Sequence, residues 1–392
     1  MIEKFLPYGK QSIDQSDLDA VHEALKQDII TRGKNVEAFE KELAAFCGAK
    51  WAVAFSSGTS ALYAAFQAAH VSTQDRFLTT PNSFIATVAA GMRLGARPQF
   101  IDLHPSCGNF DETRLLPHLE QPLSRGRYVI APVHFAGVAH DMAAIDRMIK
   151  TPHSVVIEDA AHAIGSVYPD GSPVGSCTWS AMTIFSFHPV KTITCGEGGM
   201  VTTNDDTYYE RLKMLRNNGI VKKKPSLIGE EAPWYYEVHE LSANFHMTEL
   251  QAALGRSQLK RIDQFIAKRR ALVKKYRHEL ASTDIRLFDA SYDARTAFHL
   301  MIVQIDFTQH GTSRTEVMQK LHEKGIGSQY HYIPLYRFPV LTKAYGEQSD
   351  HFPEMERYYA QALSIPLFYE MEEADVEYVS KTLKEIIYGT TR

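Results

Sequence analysis

Between residues 51 and 203, seven short β-rich runs alternate with stretches of helical periodicity, and this alternation constrains the fold more than any other feature of the chain. The runs are WAVAF (51–55), RFLTT (76–80), PQFID (98–102), RYVIAPV (127–133), SVVIE (154–158), MTIFSF (182–187) and GMVTT (199–203). Helical spacing separates most of them, for example at 59–69 after Ser57-Gly58-Thr59 and at 141–149, where Asp141 is a ready cap. The order predicts an α/β fold: a mostly parallel sheet covered on both faces. From about 247 the pattern changes to a proline-free helical stretch reaching about 280. Strand-like 298–305 follows, then helices near 313–324, 353–363 and 372–388. We therefore expect an N-terminal segment over 1–14, a large α/β domain over 15–245 and a small α+β domain over 246–392, entered by a long helix.

Composition narrows the function classes. A chain of 392 residues, 44% hydrophobic and 22% charged, is too apolar for disorder and long enough for two or three domains. Its 42 basic and 46 acidic residues leave a formal charge of −4, too little to draw it onto nucleic acid or anionic lipid. No apolar run approaches the length of a membrane span and no leader pattern opens the chain, so a cytoplasmic protein is expected. Cys47, Cys107, Cys177 and Cys195 include no Cys-x-x-Cys pair, which predicts buried reduced thiols and no metal site. No internal period suggests a solenoid or propeller.

Several residues carry chemistry. Asp159 ends the run SVVIED and would emerge at the carboxyl edge of a buried strand, where open α/β sheets place ligands; it also reads as an N-cap. His162 follows three residues later, within reach of the same ligand or simply satisfied in the interior. Lys191 lies in FSFHPVKTITCGEGGM, a turn-rich segment between two strand-like runs. It is either a surface lysine or an amine whose pKa is lowered for attack on a carbonyl. Gly58 and Thr59 open a helix after a strand, a ready phosphate cradle, though no Walker lysine accompanies them. Phe84 starts another helix at the same sheet edge, as a core aromatic or a flat platform. Jointly, a cradle, an aromatic, an Asp, a lysine and the Ser186 hydroxyl at one edge fit pyridoxal 5′-phosphate and its pyridoxamine form.

The motifs ITRGKNVEAFEKELAAFCGAKWAVAFSSGTSAL, TTPNSFIATVAA, IEDAAHAIGS, FSFHPVKTITCGEGGMVTTND and NFHMTELQAALGRSQL span nearly the whole chain. Through them the sequence resembles the fold-type I, pyridoxal-phosphate-dependent sugar aminotransferases of the DegT/DnrJ/EryC1/StrS family. FSFHPVK before a GEGG turn is most similar to the branch that acts on UDP-linked 4-keto-6-deoxy-N-acetyl hexoses on the pseudaminic acid route. The resemblance implies that Lys191 bonds the cofactor aldehyde, Asp159 partners the ring nitrogen, Phe84 stacks on the ring and His162 packs against it. It further implies that Gly58, Thr59 and Ser186 hold the phosphate, helped by Asn244 from a second subunit of a homodimer with shared sites. Tyr8, Thr31, Gly33, Lys34, His331 and Tyr332 are implied to line the sugar pocket, and L-glutamate to be the amino donor. A GDP- or dTDP-linked sugar and a non-catalytic regulator of the same fold are the alternatives. A related sugar dehydratase is disfavoured, because that branch replaces the lysine by His. One departure stands out: where many relatives have Asn, an aromatic and Arg, this chain has Asn244-Phe245-His246.

Overall fold

The computed structural model describes all residues except 1–4, 122, 124, 150–153, 225 and 390–392. Seven strands form the main sheet: β1 (Trp51–Phe55), β2 (Arg76–Thr79), β3 (Arg97–Phe100), β4 (Tyr128–Ala131), β5 (Val155–Asp159), β6 (Met182–Ser186) and β7 (Gly199–Thr203). Each coincides with one expected run, within two residues at either end. The spatial order is β1-β7-β6-β5-β4-β2-β3. Pairings from β6 through β3 are parallel, whereas β7 runs antiparallel to both β6 and β1. The cause of that exception is local: loop 187–198 between β6 and β7 contains no crossover helix, and a parallel return requires one.

Strand alternation divides the apolar side chains between two faces. Ala52, Ala54, Val156, Phe185 and Met200 join a buried cluster with Phe39 and Leu43 of the helix Lys34–Cys47. Val53, Phe55, Val155, Ile157, Ile184 and Val201 join another, with the helices Gly58–Ala68 and Asp206–Arg216. Sequences that are apolar in consecutive positions are what such a double-faced core needs. All four cysteines are buried and unpaired. Among the described residues no helix is long and apolar enough to cross a membrane.

After the short hairpin β8 (Ile220–Val221) and β9 (Glu237–Val238), a second sheet of β10 (Arg286–Leu287), β11 (Met301–Gln304) and β12 (Ala362–Ile365) forms its own core with the helices Arg314–Glu323 and Glu373–Tyr388. The single long helix expected over 247–280 is instead two, Glu249–Leu259 and Ile262–Leu280. The break falls at Arg261 (φ −107°, ψ 4°), whose guanidinium pairs with Asp14 at 2.6 Å and with buried Asp17. Those ion pairs tie the break to the first helix, Gln15–Leu25. Glu249–Leu259 packs into the large core, and in the next helix Ile262, Phe265 and Ile266 still belong to it, whereas Leu272, Val273 and Tyr276 belong to the second core. The handover between the two cores thus lies along that helix.

Candidate active site

Strand ends and helix starts converge on a cleft of about 400 Å³ at the carboxyl edge of the main sheet. Ten residues named from the sequence line it: Tyr8, Gly58, Thr59, Phe84, Asp159, His162, Ser186, Lys191, His331 and Tyr332.

Asp159, the last residue of β5, is aimed into the cleft by strand alternation, which turns its neighbour Glu158 to the opposite face. Glu158 is fully buried and accepts hydrogen bonds from His134 Nε2 (2.7 Å), Tyr168 Oη (2.7 Å), Thr183 Oγ1 (2.9 Å) and Ser180 Oγ. Burial pushes its carboxyl up, but these donors, led by His134, bring it below the usual carboxylate range. An ionised side chain thus anchors β5 from behind. Asp159 itself is buried; Oδ1 accepts from the Ala161 N–H (3.1 Å) and Oδ2 from Thr87 Oγ1 (2.5 Å).

Lys191 sits in loop 187–198, which is braced by its own backbone: Phe187 N–H donates to Gly198 O, Cys195 N–H to Phe187 O, and Lys191 N–H to His188 O. The amine is walled by protein and keeps only partial solvent access. Burial lowers it from 10.5 to about 8, with Asp159 pulling the other way.

At the cradle, Ser57 caps the helix Gly58–Ala68 by accepting from Ser60 N–H (3.1 Å). The N–H groups of Gly58 and Thr59 are left without a protein acceptor among the described residues, as the first turn of a helix requires. A Cβ on Gly58 would lie 2.8 Å from Ser186 Cβ, so only glycine lets the helix start approach the end of β6. Phe84 is 58% exposed and faces the cleft, which sets aside the core reading.

Three imidazoles close the far side. His162 Nδ1 accepts from the Ala136 N–H (3.2 Å), so the neutral ring carries its proton on Nε2, 3.2 Å from Tyr332 Oη. Burial, reinforced by the Lys191 charge, keeps His162 and His299 well below the ordinary imidazole range and lowers His331 to about 3. His299 lies 4.4 Å from His162, ring to ring, and its buried Nδ1 has no partner among the described residues. Asn82 sets the Tyr332 backbone, accepting from its N–H at 3.1 Å.

Four named residues lie elsewhere in the chain. Thr31 bridges Thr248, Gly33 N–H donates to Glu249 Oε1 (2.8 Å), and Lys34 opens the helix whose free N–H groups buried Glu249 caps. Asn244 is exposed and bridges Asn217. His246, in the place of the relatives' Arg, donates Nε2–H to Asn217 Oδ1 or accepts from that side chain's amide (3.1 Å); burial, aided by Arg216 and Arg32, lowers it to about 4. It therefore brings no charge. Thr87, Asn82 and His299 were missed from the sequence. Only Thr87 had a signal, a hydroxyl one helical turn beyond Phe84.

A nucleophilic amine, a buried carboxylate, an exposed aromatic and open N–H donors in one cleft fit pyridoxal phosphate, with the orphaned His299 Nδ1 available to a ligand. Fold and cleft together define a fold-type I transferase that works with this cofactor. The pattern of the DegT/DnrJ/EryC1/StrS aminotransferase family matches residues 11–384, and the chain belongs to that family. It is 34% identical to the spore coat polysaccharide biosynthesis protein SpsC of Bacillus subtilis, over 99% of this chain and 100% of that protein. It is 36% identical to the UDP-4-amino-4,6-dideoxy-N-acetyl-beta-L-altrosamine transaminase of Campylobacter jejuni, over 97% of each. Helicobacter pylori PseC, an aminotransferase involved in the biosynthesis of pseudoaminic acid, has the same fold at a TM-score of 0.89 and 27% identity, covering 98% of this chain and 100% of that one. The protein is a sugar aminotransferase.

Proposed function

We propose that the enzyme transfers an amino group from L-glutamate to C4 of a UDP-linked 4-keto-6-deoxy-N-acetyl hexose, in the cytoplasm. The observation that carries the chemistry is the cleft amine of Lys191, lowered to about 8 beside Asp159. The likeness to the Campylobacter jejuni transaminase supports the sugar. When bound, pyridoxal phosphate supplies an aldehyde for the amino group and a ring that withdraws electrons. Lys191 Nζ, neutral, would take a proton from the donor's α-carbon and hand it to the cofactor, and in the second half-reaction would carry a proton from the cofactor to sugar C4. Asp159 holds a proton at the ring nitrogen and His162 fixes the ring's orientation. Gly58, Thr59 and Ser186 bind the phosphate, Phe84 covers the ring, and Tyr8, His331 and Tyr332 shape the sugar side. Product analysis with UDP-, GDP- and dTDP-linked 4-keto sugars tests this reading. Mass spectrometry and NMR should find a 4-amino product from the UDP sugar; preferred turnover of a GDP or dTDP sugar would replace it.

Thr31, Gly33, Lys34 and Asn244 serve this function from the second subunit of a homodimer in our reading, since they lie outside their own chain's cleft. Leu241, 89% exposed, and Ile29 and Ile30, also exposed, support apolar partner contacts. Mixing inactive Lys191→Ala with inactive Asn244→Ala subunits should restore roughly a quarter of wild-type activity, because half the dimers are mixed and each mixed dimer has one intact site. No recovery after verified exchange would rule out sharing.

A further inference from the structure

We infer that Thr87, backed by Ser83, is the positioning residue that sets the orientation of Asp159. The inference rests on the reading of Asp159 as partner of the cofactor's ring nitrogen and adds the group that makes that partnership work.

Thr87 is fully buried, the third residue of the helix Ile85–Arg93. A threonine inside a helix commonly returns its hydroxyl to the carbonyl four residues back. Here Thr87 Oγ1 instead reaches across to Asp159 Oδ2 at 2.5 Å, a contact between residues 72 apart in sequence. Ser83 Oγ lies 3.0 Å from Thr87 Oγ1 and is itself buried. The proton directions follow from the chemistry. An ionised carboxylate only accepts, so the single Thr87 proton goes to Asp159, and the Ser83 hydroxyl donates to the Thr87 lone pair. With the Ala161 N–H on Oδ1, each oxygen of Asp159 has one donor on a different side. Two fixed donors hold the carboxyl plane in one orientation. Removing the hydroxyl would leave a buried carboxylate oxygen short of a donor and free to turn.

The test uses the full-length apoprotein and two ligands: pyridoxamine 5′-phosphate and its analogue with CH in place of the ring nitrogen. Thr87→Val should weaken pyridoxamine phosphate binding by about tenfold, the scale of one hydrogen bond to a charged group, and leave the analogue within about twofold. Thr87→Ser, which restores the hydroxyl, should restore the preference for the nitrogen ligand. In an Asp159→Asn background, Thr87→Val should cause no further loss of the nitrogen preference, because the carboxylate that the hydroxyl orients is already gone. Ser83→Ala, a milder change, should weaken the nitrogen ligand in the same sense even if Thr87→Val fails to fold. Equal weakening of both ligands, or full additivity with Asp159→Asn, would overturn the proposal. If Asp159→Asn lowers the nitrogen preference but neither Thr87→Val nor Ser83→Ala does, the role of Thr87 fails while that of Asp159 stands. If Asp159→Asn itself leaves the preference unchanged, both fall.

Discussion

Lys191→Ala should lose at least about a thousandfold in turnover, the range that a positioned proton-transfer group supplies, while the protein keeps its fold. The fold should survive because loop 187–198 is braced by backbone bonds among Phe187, His188, Lys191, Cys195 and Gly198, none of which uses the lysine side chain. The activity should not, because one amine both takes up the cofactor and carries the proton. Steady-state kinetics and a melting curve decide the matter; near wild-type turnover would remove Lys191 from the mechanism. The wild-type amine has its own signature. A lysine lowered from 10.5 to about 8 is neutral above that pH and protonated below it. Its neutral fraction therefore rises about tenfold per pH unit up to pH 8 and then levels off. Borohydride trapping of pyridoxal phosphate on the apoprotein, read as the modified Lys191 peptide, should follow that curve. A rise that continues to pH 10 would mean an unshifted surface-like amine.

Asp159→Asn should lower kcat by roughly ten- to a thousandfold, the effect of removing an opposite charge that shifts a neighbouring group by one to three pKa units. Its main-chain bonds, from His134 N–H to Asp159 O (3.0 Å) and from Asp159 N–H to Pro132 O (2.9 Å), are untouched by the change. The amide oxygen can still accept from either Ala161 or Thr87, so the melting temperature should fall by only a few degrees. KM for the sugar should change far less than kcat, since Asp159 acts at the cofactor ring rather than on the nucleotide. Unchanged kinetics would reduce Asp159 to the capping role that the sequence also allowed.

Local pattern was enough for the strands and the family. Hydrophobic periodicity is written into consecutive residues, so each of β1 to β7 was legible. The resemblance of FSFHPVKTITCGEGG and IEDAAHAIGS to one family singled out Lys191 and Asp159 before any contact was known. The reversal of β7 was not legible, because it depends on whether a loop crosses the sheet rather than on the strand's own residues. Nor was the break at Arg261, which is set by ion pairs to Asp14 and Asp17 in a distant helix. Only the tertiary structure decided that Lys191 is walled in, that His299 joins His162 in the cleft, and that Thr31, Gly33, Lys34 and Asn244 lie outside it. The bond from Tyr332 to Asn82 joins residues 250 apart and that from Thr87 to Asp159 residues 72 apart. Such contacts arise from strand order and helix packing, and a hydroxyl or amide carries no mark in its local sequence of the partner that the fold will bring to it.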